Sequence, residues 1–258
     1  MNLSGVDMGI IGPALLAGVL VLATHVPLGQ RVLARGIVFI DLAIAQIAGL
    51  GVMAAEVLGW EPQGLRVQIA AISAAWLGAL LLTYTERRWP AIQEALIGVA
   101  FVVAASAGLL LLANSPHGGE HLQDLLAGQI LWVGYHQLLP LAILTLVVLT
   151  VLFTFKERLG RLGFYLLFAT TVTASVQLVG IYLVFASLII PPLAARAWSV
   201  RWVLPSAYLL GALAYGVGLM LSTRWDLPAG ALIVLCLAAL GMAAAAAPAL
   251  WRGQRTLH

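Results

Sequence analysis

Long apolar runs alternate with short polar breaks from one end of the chain to the other. A bilayer crossing needs roughly 20 apolar residues. The runs place spans near 8–28, 36–59, 67–85, 91–114, 137–155, 163–184, 186–200, 203–222 and 229–250. The seventh is short and interrupted by proline, so the pattern allows eight or nine transmembrane helices. A further short helix is predicted around 121–133. The stretch from Gln177 to Ala195, QLVGIYLVFASLIIPPLAA, carries no charge and is broken by Gly180 and by Pro191-Pro192. Two prolines remove two backbone donors and do not sit in a straight helix interior. In hydrocarbon an open backbone survives only under protein or beside a water-filled cavity. The pattern therefore predicts an all-α, polytopic membrane bundle with a broken helix near 180–192. It forms one transmembrane domain over 1–258.

Composition strengthens this picture. Hydrophobic residues make up 62% of the 258 positions and charged residues 9%, against about 25% charged in an average globular protein. Little chain is left for a soluble domain. A single cysteine, Cys236, lies in an apolar run, so no disulfide forms within the chain. The N-terminal MNLSGVD has Asp7 in place of a basic leader region, and the first apolar segment is read as retained. The net charge of +3 carries no message about nucleic acid, because the basic residues follow membrane topology. Arg31, Arg35, Arg87, Arg88, Lys156, Arg158, Arg161, Arg196, Arg201, Arg252 and Arg255 fall in one set of loops. The other set holds Arg66 and Arg224. By the positive-inside rule the N-terminus is outside and the C-terminus inside. This holds if the seventh segment returns the chain to the cytoplasm. Trp60, Trp89, Trp202 and Trp225 sit at predicted span ends, as interfacial tryptophans do. Glu94 falls in the first turn of the fourth span, and Asp226 before Pro228 suits a cap of the last. Both acids match the positive end of a helix dipole.

The candidate chemistry lies in a few polar positions. Asp41 is about five residues inside the second span. A carboxylate at mid-membrane costs about 2.5–3.5 kcal/mol on insertion scales and turns to a cavity or a partner. Its face, with Ala45, Ala48 and Gly49, is otherwise small, so Asp41 is expected to point into the bundle. Two roles stand side by side: a pathway residue, or an ion pair with Arg35. Gln46, about 140° further round the helix, reads as a buried amide joining two helices. The outer loop gathers His117, Glu120, His121 and Asp124, a ligand set that suits zinc or manganese. His117 to His121 also spells H-x-x-E-H, but Gly118-Gly119 after Pro116 argues against the helix a protease would need. A solvated loop is the plain alternative. His25 and His136 read as interfacial. The inner loop at 155–164, FKERLGRLGF, offers Lys156, Glu157, Arg158, Gly160 and Gly163 to a cytoplasmic partner, or merely turns the chain. No Walker lysine motif is present, so any ATP hydrolysis would come from another polypeptide.

Four segments in order, EALIG at 94–98, LQDLLAGQILWV at 122–133, VQLVGIYLVFASLIIPPLAARA at 176–197 and DLPAG at 226–230, resemble the permease subunits of bacterial zinc and manganese ABC importers. The resemblance implies a multi-pass permease in the cytoplasmic (inner) membrane. It implies a homodimer in contact with lipid, a cytoplasmic ABC ATPase and an extracytoplasmic solute-binding protein. No permanent cofactor is implied; the zinc or manganese ion would be cargo. It also implies an Asp and, four residues later, a His on the second span. Here Ala45 stands four after Asp41, and an alignment through Gly51 puts Gln46 at the histidine. The inner loop is shorter than the resemblance implies. A different substrate on the same scaffold, or a secondary transporter or channel without an ATPase, are the competing readings.

Overall fold

The first apolar run makes a longer helix than its hydrophobic stretch alone predicts. In the computed structural model, which describes residues 8–60, 64–112, 126–155, 158–198 and 200–255, helix α1 spans Met8–Arg35 and passes through Pro13 and Pro27. A proline at position 27 takes the intrahelical donor away from the Ala23 carbonyl. The hydroxyl of Tyr208, on helix α8 (Val203–Trp225), donates to that carbonyl at 3.1 Å. A neighbouring helix thus replaces the missing rung, and α1 runs on beyond the predicted end at 28.

The other described helices are α2 (Ile40–Val57), α3 (Leu65–Arg88), α4 (Gln93–Leu112), α5 (Tyr135–Thr154), α6 (Gly160–Val179), α7 (Ile181–Ala195) and α9 (Ala229–Arg255). Eight of the helices are long and apolar enough to cross a membrane, and α7 is the shorter apolar one. Small residues set the packing, because they let backbones approach closely. Gly51 of α2 lies against Ala70 and Ala74 of α3, Gly78 of α3 against Ile47, and Gly108 of α4 against Met53. The result is one group built from α2, α3 and α4 and another from α1, α7, α8 and α9.

The break in the organising stretch falls at one place. Gly180 adopts φ 82 and ψ 161, a backbone that a residue with a side chain adopts only under strain. It separates α6 from α7, so the predicted span at 163–184 ends at Val179. Pro191 and Pro192 do not break the chain as expected; α7 continues through both to Ala195. They sit in its last turns, where the freed carbonyls belong to Ser187 and Leu188, and Gly29 of α1 packs directly on the Leu188 carbonyl. Asp226 is also placed differently. It takes the left-handed conformation at the C-terminal end of α8, with φ 52, a region that Asp tolerates better than most residues. Of the short helix expected at 121–133, residues 126–127 are helical and Ile130–Trp132 form a 3₁₀ turn; 121–125 lie outside the described residues.

Side-chain contacts sort the helix ends into two sets. Arg31 donates to the Leu152 carbonyl near the end of α5 at 2.8 Å, and the Arg35 guanidinium lies 4.2 Å from the centre of the Phe164 ring at the start of α6. At the opposite set, Gly128 and Gly180 meet backbone to backbone, and Gly230 of α9 packs on the Ala127 carbonyl. The chain direction through α7 joins the two sets, so the seventh segment passes from one side to the other.

Candidate translocation site

Asp41 lies in the first turn of α2 and is 0% exposed. Neither carboxylate oxygen has a hydrogen-bond partner among the described residues. Its place on the helix follows from the packing. Ile44, Ile47 and Gly51 meet α3, and Met53 meets α4. At about 100° per residue, Asp41, Ala45 and Ala48 form a stripe between those contacts, and all three are buried. The acid therefore points inward, as its small-residue face implies. Arg35 does not pair with it, because that guanidinium is stacked on Phe164. Of the two roles open for Asp41, the ion pair with Arg35 falls away. Burying an acid without a donor is costly, which marks the position as one kept for something other than stability.

Gln46 is buried at 6% exposure, but it makes no side-chain hydrogen bond with another described residue. It does not join two helices as its sequence position suggests. Ala45 stands one turn above Asp41 on the same stripe, so no imidazole reaches the acid from α2.

Glu94 does lie in the first turn of α4, but it serves a different helix. Its Oε1 accepts the backbone N–H of Phe39 at 3.1 Å. Phe39 is the residue that opens α2. The second oxygen, Oε2, is buried and without a hydrogen-bond partner among the described residues. Beside it, the buried Gln93 donates from Nε2 to the Leu82 carbonyl at 3.0 Å and to the Tyr165 hydroxyl at 3.4 Å. No sequence pattern signals these cross-helix bonds, because each depends on how α2, α3, α4 and α6 converge.

His25 is the other surprise. It is 0% exposed in the interior of α1 rather than interfacial. Its Nδ1 lies 2.8 Å from the Val21 carbonyl, and Nε2 has no partner among the described residues. The helix that continues through Pro27 is what carries it inside. His136 is the second residue of α5 and is exposed, at a helix end as expected.

The remaining candidates divide between seen and unseen. His117, Glu120, His121 and Asp124 lie outside the described residues, as do Lys156 and Glu157. Arg158 is exposed, with its N–H bonded to the Phe155 carbonyl at 3.0 Å. Gly160 and Gly163 belong to the first turn of α6 rather than to a loop. The inner connection is thus shorter than the predicted 155–164. Among the described residues no three His, Cys, Asp or Glu side chains gather as a metal-binding group.

A lipid-spanning bundle with an unpartnered buried acid near one end and a glycine-broken hairpin at the other is a multi-pass membrane transport component. The chain belongs to the ABC 3 transport family, whose model matches residues 7–164 and 156–247. It is 25% identical over 252 residues to the high-affinity zinc uptake system membrane protein ZnuB of Haemophilus influenzae, covering 88% of this chain and 93% of that one. It is 26% identical over 243 residues to the manganese transport system membrane protein MntC of Halalkalibacterium halodurans, covering 86% and 82%. Among solved structures, PsaBC from Streptococcus pneumoniae in complex with Fab shares the fold. The TM-score is 0.73 at 21% identity, over 90% of each chain. A chain described as a metal-chelate type ABC transporter in an inward-facing conformation gives a TM-score of 0.67 at 20% identity, over 90% and 84%.

Proposed function

We propose that this chain is the permease of an importer that carries a divalent metal ion, zinc or manganese, across the cytoplasmic membrane. Two copies form the permease unit. A separate cytoplasmic ATPase drives it, and an extracytoplasmic binding protein delivers the ion. The N-terminus is outside and the C-terminus inside. His117, Glu120, His121 and Asp124 meet the ion at the outer mouth, with Gln46 and Asp41 further along the route. Lys156, Glu157, Arg158, Gly160 and Gly163 touch the ATPase.

Family membership and the names of the relatives support the class of cargo. The observation that carries the site is Asp41, fully buried with both oxygens unpartnered among the described residues. An unpaired intramembrane acid belongs to a pathway unless a partner is found. The permease contributes a route and a lever; the chemical energy comes from the partner, so no residue here is assigned a catalytic role.

The test is uptake of Zn²⁺ and of Mn²⁺, measured separately, in cells carrying the whole transporter. Asp41→Ala is expected to abolish uptake while the protein remains inserted and paired. Undiminished accumulation of both ions in that variant removes Asp41 from the route. Purification without any bound ATPase removes the importer class.

A further inference from the structure

We propose that Glu94 is a positioning residue for Asp41, fixing the start of α2 so that the acid is held at its working depth. The proposal rests on the reading of Asp41 as a pathway residue. Three observations lead to it. First, the Glu94 carboxylate reaches across to the N–H of Phe39 at 3.1 Å instead of capping its own helix. Phe39 precedes Asp41 by two residues. Second, the Asp41 side chain makes no hydrogen bond among the described residues, so its place is set by the backbone of that turn. The link before it is short, with Gly36 at φ 69 and the Ile40 N–H bonded to the Ile37 carbonyl at 3.2 Å. Glu94 supplies the side-chain bond that reaches this link from another helix. Third, the same turn of α4 is tied elsewhere through Gln93, to α3 at Leu82 and to α6 at Tyr165.

The consequence is geometric. A shift of α4 relative to α2 changes the Glu94–Phe39 distance and with it the angle at which α2 begins. A carboxylate also suits this end of α2, where the helix dipole is positive. One turn of α4 thus holds three helices by two adjacent side chains. Asp41 lies just beyond the point where that hold is applied.

The experiment is initial-rate uptake of Zn²⁺ and of Mn²⁺ by the whole transporter, with the amount of inserted protein measured in the same membranes. Glu94→Ala is expected to raise the half-saturating ion concentration about tenfold, and Glu94→Gln, which keeps an acceptor oxygen for Phe39, by no more than about threefold. Glu94→Met, which matches the length but offers no oxygen to Phe39, is expected to reproduce the Glu94→Ala shift, whereas Phe39→Ala, which keeps the backbone N–H, is not. Unchanged half-saturation in Glu94→Ala, or a loss of rate that only follows a loss of protein, overturns the proposal. If Glu94→Ala does not insert, Glu94→Met against Glu94→Gln decides by the same criterion. If Asp41→Asn transports normally, the pathway reading fails first. If Asp41→Asn is inactive while Glu94→Ala and Glu94→Met behave as wild type, the positioning alone fails.

Discussion

The two ends of this bundle are built from opposite materials. At one end, Gly128, Gly180 and Gly230 let three segments meet backbone to backbone. At the other, Asp41, Gln93 and Glu94 gather buried oxygens that lack a donor among the described residues. The first end is closed by the absence of side chains and tolerates almost no change. The second carries polar groups whose burial costs stability; Gln93 and Glu94 still tie helices together, whereas Asp41 is expected to be replaceable for folding but not for transport. The contrast separates what holds the chain together from what the chain is for.

Crossed substitutions break or sharpen that contrast. The largest structural effect is expected at Gly180→Val, which combines a positive φ with a clash against the backbone of Ala127 and Gly128. A loss of more than about 3 kcal/mol is expected, read as failure to recover folded protein from the membrane. Asp41→Asn should do the reverse. Thermal stability should stay within about 1 kcal/mol, because no partner is left behind, while metal uptake is lost. If Asp41→Asn unfolds the protein, the two ends are not different in kind. Next comes Gly29→Ala, whose new methyl would meet the Leu188 carbonyl. It should cost about 1–3 kcal/mol, visible as a lowered melting temperature of the purified protein. Tyr208→Phe leaves the Ala23 carbonyl without its outside donor and should cost about 1–2 kcal/mol, with uptake reduced no more than protein yield. The smallest effect is expected at Gly98→Ala. Nothing lies within 4 Å of the added carbon, so stability should be unchanged or raised by about 0.5 kcal/mol.

Much of the fold was legible because hydrocarbon demands long apolar helices, and their spacing is written directly in the runs. Gly180 was legible as a break, since a glycine between β-branched residues has few other uses in a span. The prolines misled. A proline ends a helix only if the freed carbonyl finds nothing else. Pro27 is answered by Tyr208, a residue 181 positions away, and Pro191-Pro192 fall where the helix is already ending. Hence α1 outruns its apolar stretch, and His25 lies buried rather than at the interface. Of the candidate site, Asp41 was legible from its charge amid small residues. Its isolation was not, because that depends on Arg35 choosing Phe164. Glu94 was read as a cap and is one, for a helix that sequence proximity gives no reason to consider.

Helix α7 is shorter than the slab it lies in. Fifteen residues rise about 22 Å, whereas the hydrocarbon slab is about 30 Å thick. Most of those residues are buried, so the shortfall is made up by neighbouring helices and the turns at its ends, not by lipid. A truncated rod enclosed by longer ones presents its tips to protein rather than to headgroups.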